Sequence, residues 1–182
     1  HFLDSLRCAL SWGAEPDSLI DVGAGAGFPG LPLKILRPAL HLTLVESIEK
    51  KAAFLRHIAA ELGLQGVEVV VARAETVGRD AVHRERYDVA MARAVADLRV
   101  LAEYCVPLCR IGGRLLAPKG AQSAEEIERA LPAIARLGGG PPVVEPVDIP
   151  ETERRALVVI EKIAPTPAQY PRAVGVPTKR PL

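Results

Sequence analysis

The sequence predicts an α/β fold, a mostly parallel seven-stranded sheet covered by helices, with an antiparallel hairpin at one edge. Short apolar runs, several of them rich in β-branched residues, alternate with longer segments whose apolar residues recur every three or four positions. Strands that alternate with helices form parallel sheets through right-handed crossovers. Only a short loop separates the last two apolar runs, so these two strands are expected to form the hairpin.

Each predicted element is bounded by residues that interrupt regular structure. Pro29 opens the first helix and Pro38 lies beyond its end. Gly63 follows the second helix and the glycines at 138–140 follow the last one, where glycine commonly ends a helix. In chain order we predict strand 19–22, helix 29–36, strand 41–46, helix 47–62, strand 67–72, strand 87–92, helix 97–108, strand 114–117, helix 124–137, strand 142–147 and strand 156–163.

The chain is expected to hold one domain between two short flanking segments. Its 182 residues and 19.4 kDa suit a single α/β core. The first residue is His1 and the pattern starts within an amphipathic helix, so we interpret 1–18 as the remnant of an N-terminal helical region. Residues 19–163 form the predicted domain. Residues 164–182 hold five prolines, three cations and no acid, and form a proline-rich basic tail.

Composition excludes several classes of protein. Apolar residues make up 49% and charged residues 25% of the chain, which excludes a disordered polypeptide. No apolar run reaches the roughly 18 residues of a membrane span, and three cysteines cannot form a disulfide scaffold. The net charge is +1, so nucleic-acid binding would require a local basic patch. Aromatic residues are only 4%, which argues against a base-stacking surface.

The segment from Asp21 to Gly30 is the strongest motif, because a glycine-rich turn between a strand and a helix lets the backbone approach a ligand closely. Gly25-x-Gly27-x-x-Gly30 matches the dinucleotide fingerprint, whereas Asp21-x-Gly23-x-Gly25 matches sites for S-adenosylmethionine (SAM). An acid is unfavourable beside the anionic pyrophosphate of a dinucleotide and favourable beside the cationic groups of SAM. Asp21 therefore favours SAM, with an NAD-binding oxidoreductase as the alternative.

Further candidate residues follow other strands. Glu46 ends the second strand, where an acid can accept hydrogen bonds from both ribose hydroxyls; adenosine is common to SAM and NAD, so Glu46 does not discriminate between them. Ligands of open α/β sheets bind beyond the carboxyl ends of the strands. Residues 23–30, Glu46, 73–75, 93–94 and 119–120 are all predicted there.

With these residues established, the chain resembles the small-subunit ribosomal RNA guanine-N7 methyltransferases, the RsmG or GidB family. The resemblance is densest at Gly23-x-Gly25-x-Gly27-x-Pro29-Gly30-Leu31-Pro32-Leu33. It continues in colinear order through His1-x-Leu3-Asp4-Ser5-Leu6, Lys51-x-x-Phe54-Leu55, Arg73-Ala74-Glu75, Ala92-Arg93-Ala94-Val95-Ala96, Lys119-Gly120, Arg155-x-Leu157-Val158-Val159 and Tyr170-Pro171-Arg172-x-x-Gly175-x-Pro177-x-Lys179-x-Pro181-Leu182.

The resemblance implies a Rossmann-like class I SAM-dependent methyltransferase fold. It also implies transfer of the SAM methyl group to N7 of one guanine in 16S rRNA, in the 30S subunit or its precursor. We accordingly expect a cytoplasmic protein and a monomer. A ribosome assembly factor that keeps the fold without turnover is a further hypothesis, against which the intact glycines and Glu46 argue.

The predicted site residues fall into three groups, with no metal ligand among them. Arg93 and Lys119 are predicted to position the substrate, because they end the two central strands. The predicted RNA-binding residues are Lys119, Arg155, Arg172 and Lys179. The predicted cofactor-binding residues are Asp21, Gly23, Ala24, Gly25, Gly27, Phe28, Glu46, Ala74, Glu75 and Arg93.

Neither a general base nor a cysteine nucleophile is expected. Guanine N7 has a free lone pair and no proton, so the chain need only hold N7 in line with the methyl group. Cys105 and Cys109 are predicted four positions apart on one helix face, and we interpret both as buried apolar residues. Two cysteines with no histidine nearby cannot complete a zinc site.

Overall fold

A computed structural model describes residues 2–12, 16–92, 97–120, 124–147 and 155–182. Two single 3-10 turns, Ala9–Ser11 and Val106–Leu108, accompany the helices and strands. Within these ranges no helix is both long and apolar enough to cross a membrane. In chain order the elements are α1 (Phe2–Cys8), β1 (Ser18–Val22), α2 (Gly30–Leu36), β2 (His41–Glu46), α3 (Glu49–Glu61), β3 (Val67–Val71), α4 (Ala74–Val77), β4 (Tyr87–Ala92), α5 (Leu98–Cys105), β5 (Cys109–Gly120), α6 (Ala124–Arg136), β6 (Val143–Val147), β7 (Arg155–Glu161) and α7 (Val176–Lys179).

The seven strands form one sheet in the order β3-β2-β1-β4-β5-β7-β6. The first five are parallel, and β7 runs antiparallel to both β5 and β6. The predicted fold class and the edge hairpin are therefore confirmed. Within the hairpin it is β7 that lies against the parallel sheet, so β6 is the edge strand.

Two apolar clusters cover the two faces of the sheet. Alternate residues of a strand point to opposite faces, so Leu19 joins one cluster while Ile20 joins the other. Helices α5 and α6 pack over the face that holds Ile20. Helices α2 and α3, with Cys8 and Trp12 of the N-terminal segment, pack over the face that holds Leu19. Both faces being covered, the central strands are buried, as in other parallel sheets.

The cysteine pair departs from the sequence prediction. The predicted helix 97–108 ends at Cys105, a 3-10 turn that contains Pro107 follows, and Cys109 is the first residue of β5. The two cysteines are therefore not on one helix face, which corrects that prediction. Both are free and buried. Burial raises the pKa of the Cys105 thiol and raises that of Cys109 to about 12, so both remain protonated at neutral pH.

The C-terminal segment 164–182 packs back on the domain through side chains of residues 79–103. The Arg84 guanidinium donates to the carbonyls of Thr166 and Tyr170, each at 2.7 Å. Arg79 Nε donates to the carbonyl of Pro171 at 2.6 Å. These bonds between cations and tail carbonyls hold the segment along the side of the domain that carries β3 and α5.

Candidate functional site

A cavity of about 250 Å³ lies at the carboxyl ends of β1, β2 and β3. This is the edge of an open α/β sheet at which ligands bind. Its walls come from separate parts of the chain: residues 22–23 at the end of β1, 45–47 at the end of β2, 72–75 after β3, Tyr104 of α5 and Thr178 of α7.

Two of the glycines in the loop between β1 and α2 serve different purposes. Gly25 and Gly27 both have positive φ, 57° and 91°, a backbone region that residues other than glycine rarely adopt. At Gly27 an added Cβ would collide with the Leu31 side chain, so packing requires glycine there. At Gly25 an added Cβ would meet nothing closer than the Gly23 carbonyl oxygen at 3.8 Å. The space above Gly25 is open, and Gly23, two positions earlier, lines the cavity. This space would accommodate a ligand.

Asp21 fixes the end of this loop. Its side chain is fully buried (0% exposed), and Oδ2 accepts a hydrogen bond of 2.9 Å from the backbone N–H of Gly30, the first residue of α2. We predicted that this acid contacts a cationic cofactor. In the structure this carboxyl group has no exposed surface and shapes the loop from beneath through Gly30; its contact with a cofactor stays a prediction.

Glu46 connects the glycine loop to the start of the next helix. The residue is 5% exposed; its Oε2 accepts from the Gly25 N–H at 3.2 Å and its Oε1 accepts from the Ile48 N–H at 2.9 Å. A carboxylate offers about four lone-pair positions, so both oxygens retain capacity to accept from ribose hydroxyls. Glu46 therefore has the chemistry of a ribose acceptor and sits on the cavity wall.

The C-terminal segment closes the side of the cavity next to β3. Glu75 is buried, and its Oε1 accepts from the Gly175 N–H at 2.8 Å. The Tyr104 hydroxyl lies 2.9 Å from Thr178 Oγ1, and burial raises the pKa of Tyr104. Sequence reasoning missed Tyr104 and Thr178, because one lies in an apolar helix and the other in a proline-rich tail, and no local pattern marks either.

The predicted cofactor residues divide into cavity walls and loop residues. Gly23, Glu46, Ala74 and Glu75 line the cavity. Asp21, Ala24, Gly25, Gly27 and Phe28 belong to the end of β1 and the adjoining loop. Arg93 lies outside the described residues.

The cations predicted to meet RNA have different surroundings. Lys119 Nζ lies 2.8 Å from Glu126 Oε1, which also accepts from the Leu98 N–H. Arg155 is the first residue of β7, with backbone pairing to Gly120 and Val147. Lys179 is exposed at the end of α7, next to the cavity residue Thr178.

Arg172 is paired within the protein. Its Nε and Nη2 donate to the two carboxylate oxygens of Glu103 at 2.9 and 2.6 Å, and its backbone N–H also donates to Oε1. The Glu103 side chain is 0% exposed, and the hydrogen bonds to it raise the pKa of Arg172. This ion pair between a partly exposed arginine and a buried glutamate anchors the tail; that Arg172 also binds RNA stays a prediction.

The family model that matches the chain is described as rRNA small subunit methyltransferase G, and it covers residues 1–147. The ribosomal RNA small subunit methyltransferase G of Roseiflexus castenholzii is 69% identical over 182 residues, which are 100% of this chain and 78% of that protein. The protein of the same name from Roseiflexus sp. strain RS-1 is 68% identical over the same shares of both chains.

Solved structures show the same fold at low sequence identity. The geranyl diphosphate C-methyltransferase of Streptomyces coelicolor, crystallised with S-adenosyl-L-homocysteine, matches with a TM-score of 0.67 at 14% identity. The match covers 87% of this chain and 78% of that one. At this identity the likeness describes the architecture of the sheet and its helices.

Proposed function

Since the chain belongs to the rRNA small subunit methyltransferase G family, we propose that it transfers the methyl group of SAM to N7 of one guanine in 16S rRNA. The observation that carries this proposal is the cavity at the carboxyl ends of β1–β3, where a glycine loop and a buried strand-end carboxylate meet. Membership of an enzyme family that methylates rRNA also argues against the two alternative hypotheses, an NAD-dependent oxidoreductase and an assembly factor without turnover.

The residues of the cavity fit SAM. When bound, SAM supplies a methyl group activated by a positively charged sulfur. Glu46 accepts from the ribose hydroxyls, and the open space at Gly25 lets the backbone of the loop approach the ligand. Residues 72–75, after β3, lie next to the ribose position and provide the wall for the adenine. The buried charge of Asp21 beneath the loop favours a cation above it.

The task of the chain towards the guanine is positioning. N7 of guanine carries a lone pair and no proton, so no general base is required, and in-line placement of the reacting atoms supplies much of the rate enhancement. Lys119 is suited to this task, because the contact with Glu126 holds its ammonium group in place at the carboxyl end of β5. A lysine so held can donate to O6 of the guanine or to a phosphate while N7 stays open.

A matched pair of substrates tests the proposed function. Purified 30S subunits and deproteinised 16S rRNA are each incubated with the enzyme and methyl-labelled SAM, and the label is mapped to a nucleotide and to a ring position. We expect label at N7 of one guanine and more of it on the 30S subunit or its precursor, the substrate we propose for a cytoplasmic, monomeric enzyme. Label at another ring position, or none on either RNA, would contradict the proposal.

Replacing Glu46 by alanine is expected to weaken SAM binding by about one to two orders of magnitude. The change removes a charged acceptor, and hydrogen bonds to charged groups contribute roughly 1.5–3 kcal/mol. Isothermal titration calorimetry measures the affinity. Thermal unfolding checks that losing the hydrogen bonds from the Gly25 and Ile48 N–H groups has not disrupted the fold. A variant that binds SAM normally but has lost RNA affinity would place Glu46 in the wrong site.

Replacing Lys119 by alanine is expected to leave SAM affinity near that of the wild type and to lower the rate of methylation of 30S subunits. If Lys119 contacts a phosphate, the slope of log affinity for RNA against log salt should flatten by about one unit. If it contacts guanine O6, turnover should fall more than RNA affinity. An equal loss of SAM binding would show that Lys119 faces the cofactor.

A further inference from the structure

We propose that the hydroxyl groups of Tyr104 and Thr178 bind the adenine end of SAM, so that the C-terminal segment is part of the cofactor site. The inference rests on the proposed function, because it takes SAM as the ligand. Both residues line the cavity, and their oxygen atoms are 2.9 Å apart. Nothing in the sequence motif of the glycine loop involves either residue.

The placement of Thr178 is determined by several contacts. Three residues before it, the Gly175 N–H donates to Glu75 Oε1 at 2.8 Å, and Glu75 itself lies on the cavity wall. Further back, Arg172 is held by the buried carboxylate of Glu103, one residue before Tyr104. The same helix α5 thus anchors the tail and presents Tyr104 to it. This double attachment positions Thr178 against Tyr104 with both at the edge of the cavity.

The hydrogen-bonding capacity of the pair suits an adenine ring. Each hydroxyl carries one hydrogen and two lone pairs. The Tyr104 hydroxyl also hydrogen-bonds with the Glu75 carboxylate, which only accepts. With Thr178 donating to Tyr104, both hydrogens of the pair are used and at least two lone pairs remain for a ligand. Adenine presents an amino donor at its edge, so the pair can accept from it.

The position of the pair within the cavity selects the adenine end of SAM. Glu46 marks the ribose, and the glycine loop lies on its β1 side. Tyr104 and Thr178 lie on the β3 side, next to Glu75, whose charge contributes to the raised pKa of Tyr104. A nucleoside whose ribose is held at Glu46, with its methionine part over the glycine loop, would direct its base towards this pair.

Calorimetric titration of Thr178→Val and Tyr104→Phe with three ligands tests the inference. The ligands are SAM, S-adenosylhomocysteine and methylthioadenosine, which lacks the amino-acid part. We expect each variant to bind all three ligands about three- to tenfold more weakly, as for the loss of one hydrogen bond. In steady-state assays the KM for SAM should rise while kcat changes little.

Thr76→Val is the matched control, because Thr76 is exposed on α4 and does not line the cavity; it should bind the three ligands like the wild type. Thermal unfolding without ligand checks that the tail stays docked in each variant. Unchanged affinity in both variants would overturn the inference. A loss of affinity for SAM and S-adenosylhomocysteine with unchanged affinity for methylthioadenosine would also overturn it. If the wild type bound none of the three ligands, the proposed function itself would fail.

Discussion

Replacing Gly25 by valine is expected to weaken SAM binding by at least a hundredfold while the fold remains intact. The valine side chain would fill the open space above the loop, where an added Cβ meets no protein atom closer than 3.8 Å. The protein can therefore accommodate the valine side chain, but that side chain occupies the space that the ligand needs. Forcing a branched residue to a φ of 57° destabilises the chain by roughly 1–2 kcal/mol, which a domain of this size can tolerate.

Gly63→Val is the matched control for that backbone strain. Gly63 has a φ of 62° and no atom within 4 Å of an added Cβ, and it lies after α3, away from the cavity. Both variants should therefore lose similar stability in thermal unfolding. Only Gly25→Val should show a weaker affinity for SAM in calorimetry. Normal SAM affinity in Gly25→Val would show that the ligand does not pass over this loop.

Replacing Arg172 by alanine is expected to reduce the free energy of unfolding by about 3–5 kcal/mol, the usual result of removing one partner of a buried ion pair. The Glu103 carboxylate has no exposed surface, so without the guanidinium its charge is buried, and within the described part of the chain the backbone N–H of residue 172 is the donor that remains. Urea denaturation measures the change.

Arg56→Ala provides the comparison for Arg172→Ala. Arg56 pairs with Glu49 at 2.9 Å, but both side chains are largely exposed, and such pairs contribute roughly 0.2–1 kcal/mol. A stability of Arg172→Ala close to that of the wild type, combined with a loss of RNA affinity, would contradict the role of Arg172 as the anchor of the tail and favour its predicted role in RNA binding.

The sheet could be predicted from the sequence because its signals are local. The bounds of the strands 41–46 and 87–92 agree with the structure, and the glycine loop lies between a strand and a helix as its motif requires. The strand β5 is longer than predicted, 109–120 rather than 114–117. Gly112 and Gly113 appeared to precede the strand, whereas Cys109 already pairs with Tyr87 of β4 and both glycines exchange backbone hydrogen bonds with Lys162, the residue after β7.

The polar contacts of the site could not be predicted in the same way. Arg172 and Lys119 were assigned to RNA by their charge, and their partners Glu103 and Glu126 come from helices that only the folded chain brings near. One signal was available: Glu103 lies within the apolar helix α5, and a buried acid at such a position requires a cation. The short helices α4 and α7, four residues each, lack the length over which apolar periodicity can be recognised.

The hydrogen bond from Gly175 to Glu75 joins positions 100 residues apart in the chain, and it has a consequence for local opening. A terminal segment can detach locally more often than the whole domain unfolds, and exchange of the Gly175 amide with deuterium reports each detachment. A ligand that binds only the closed cavity suppresses that opening by mass action. The exchange rate of this single amide is therefore expected to fall as SAM is added, so it can serve as a gauge of how much of the site is occupied.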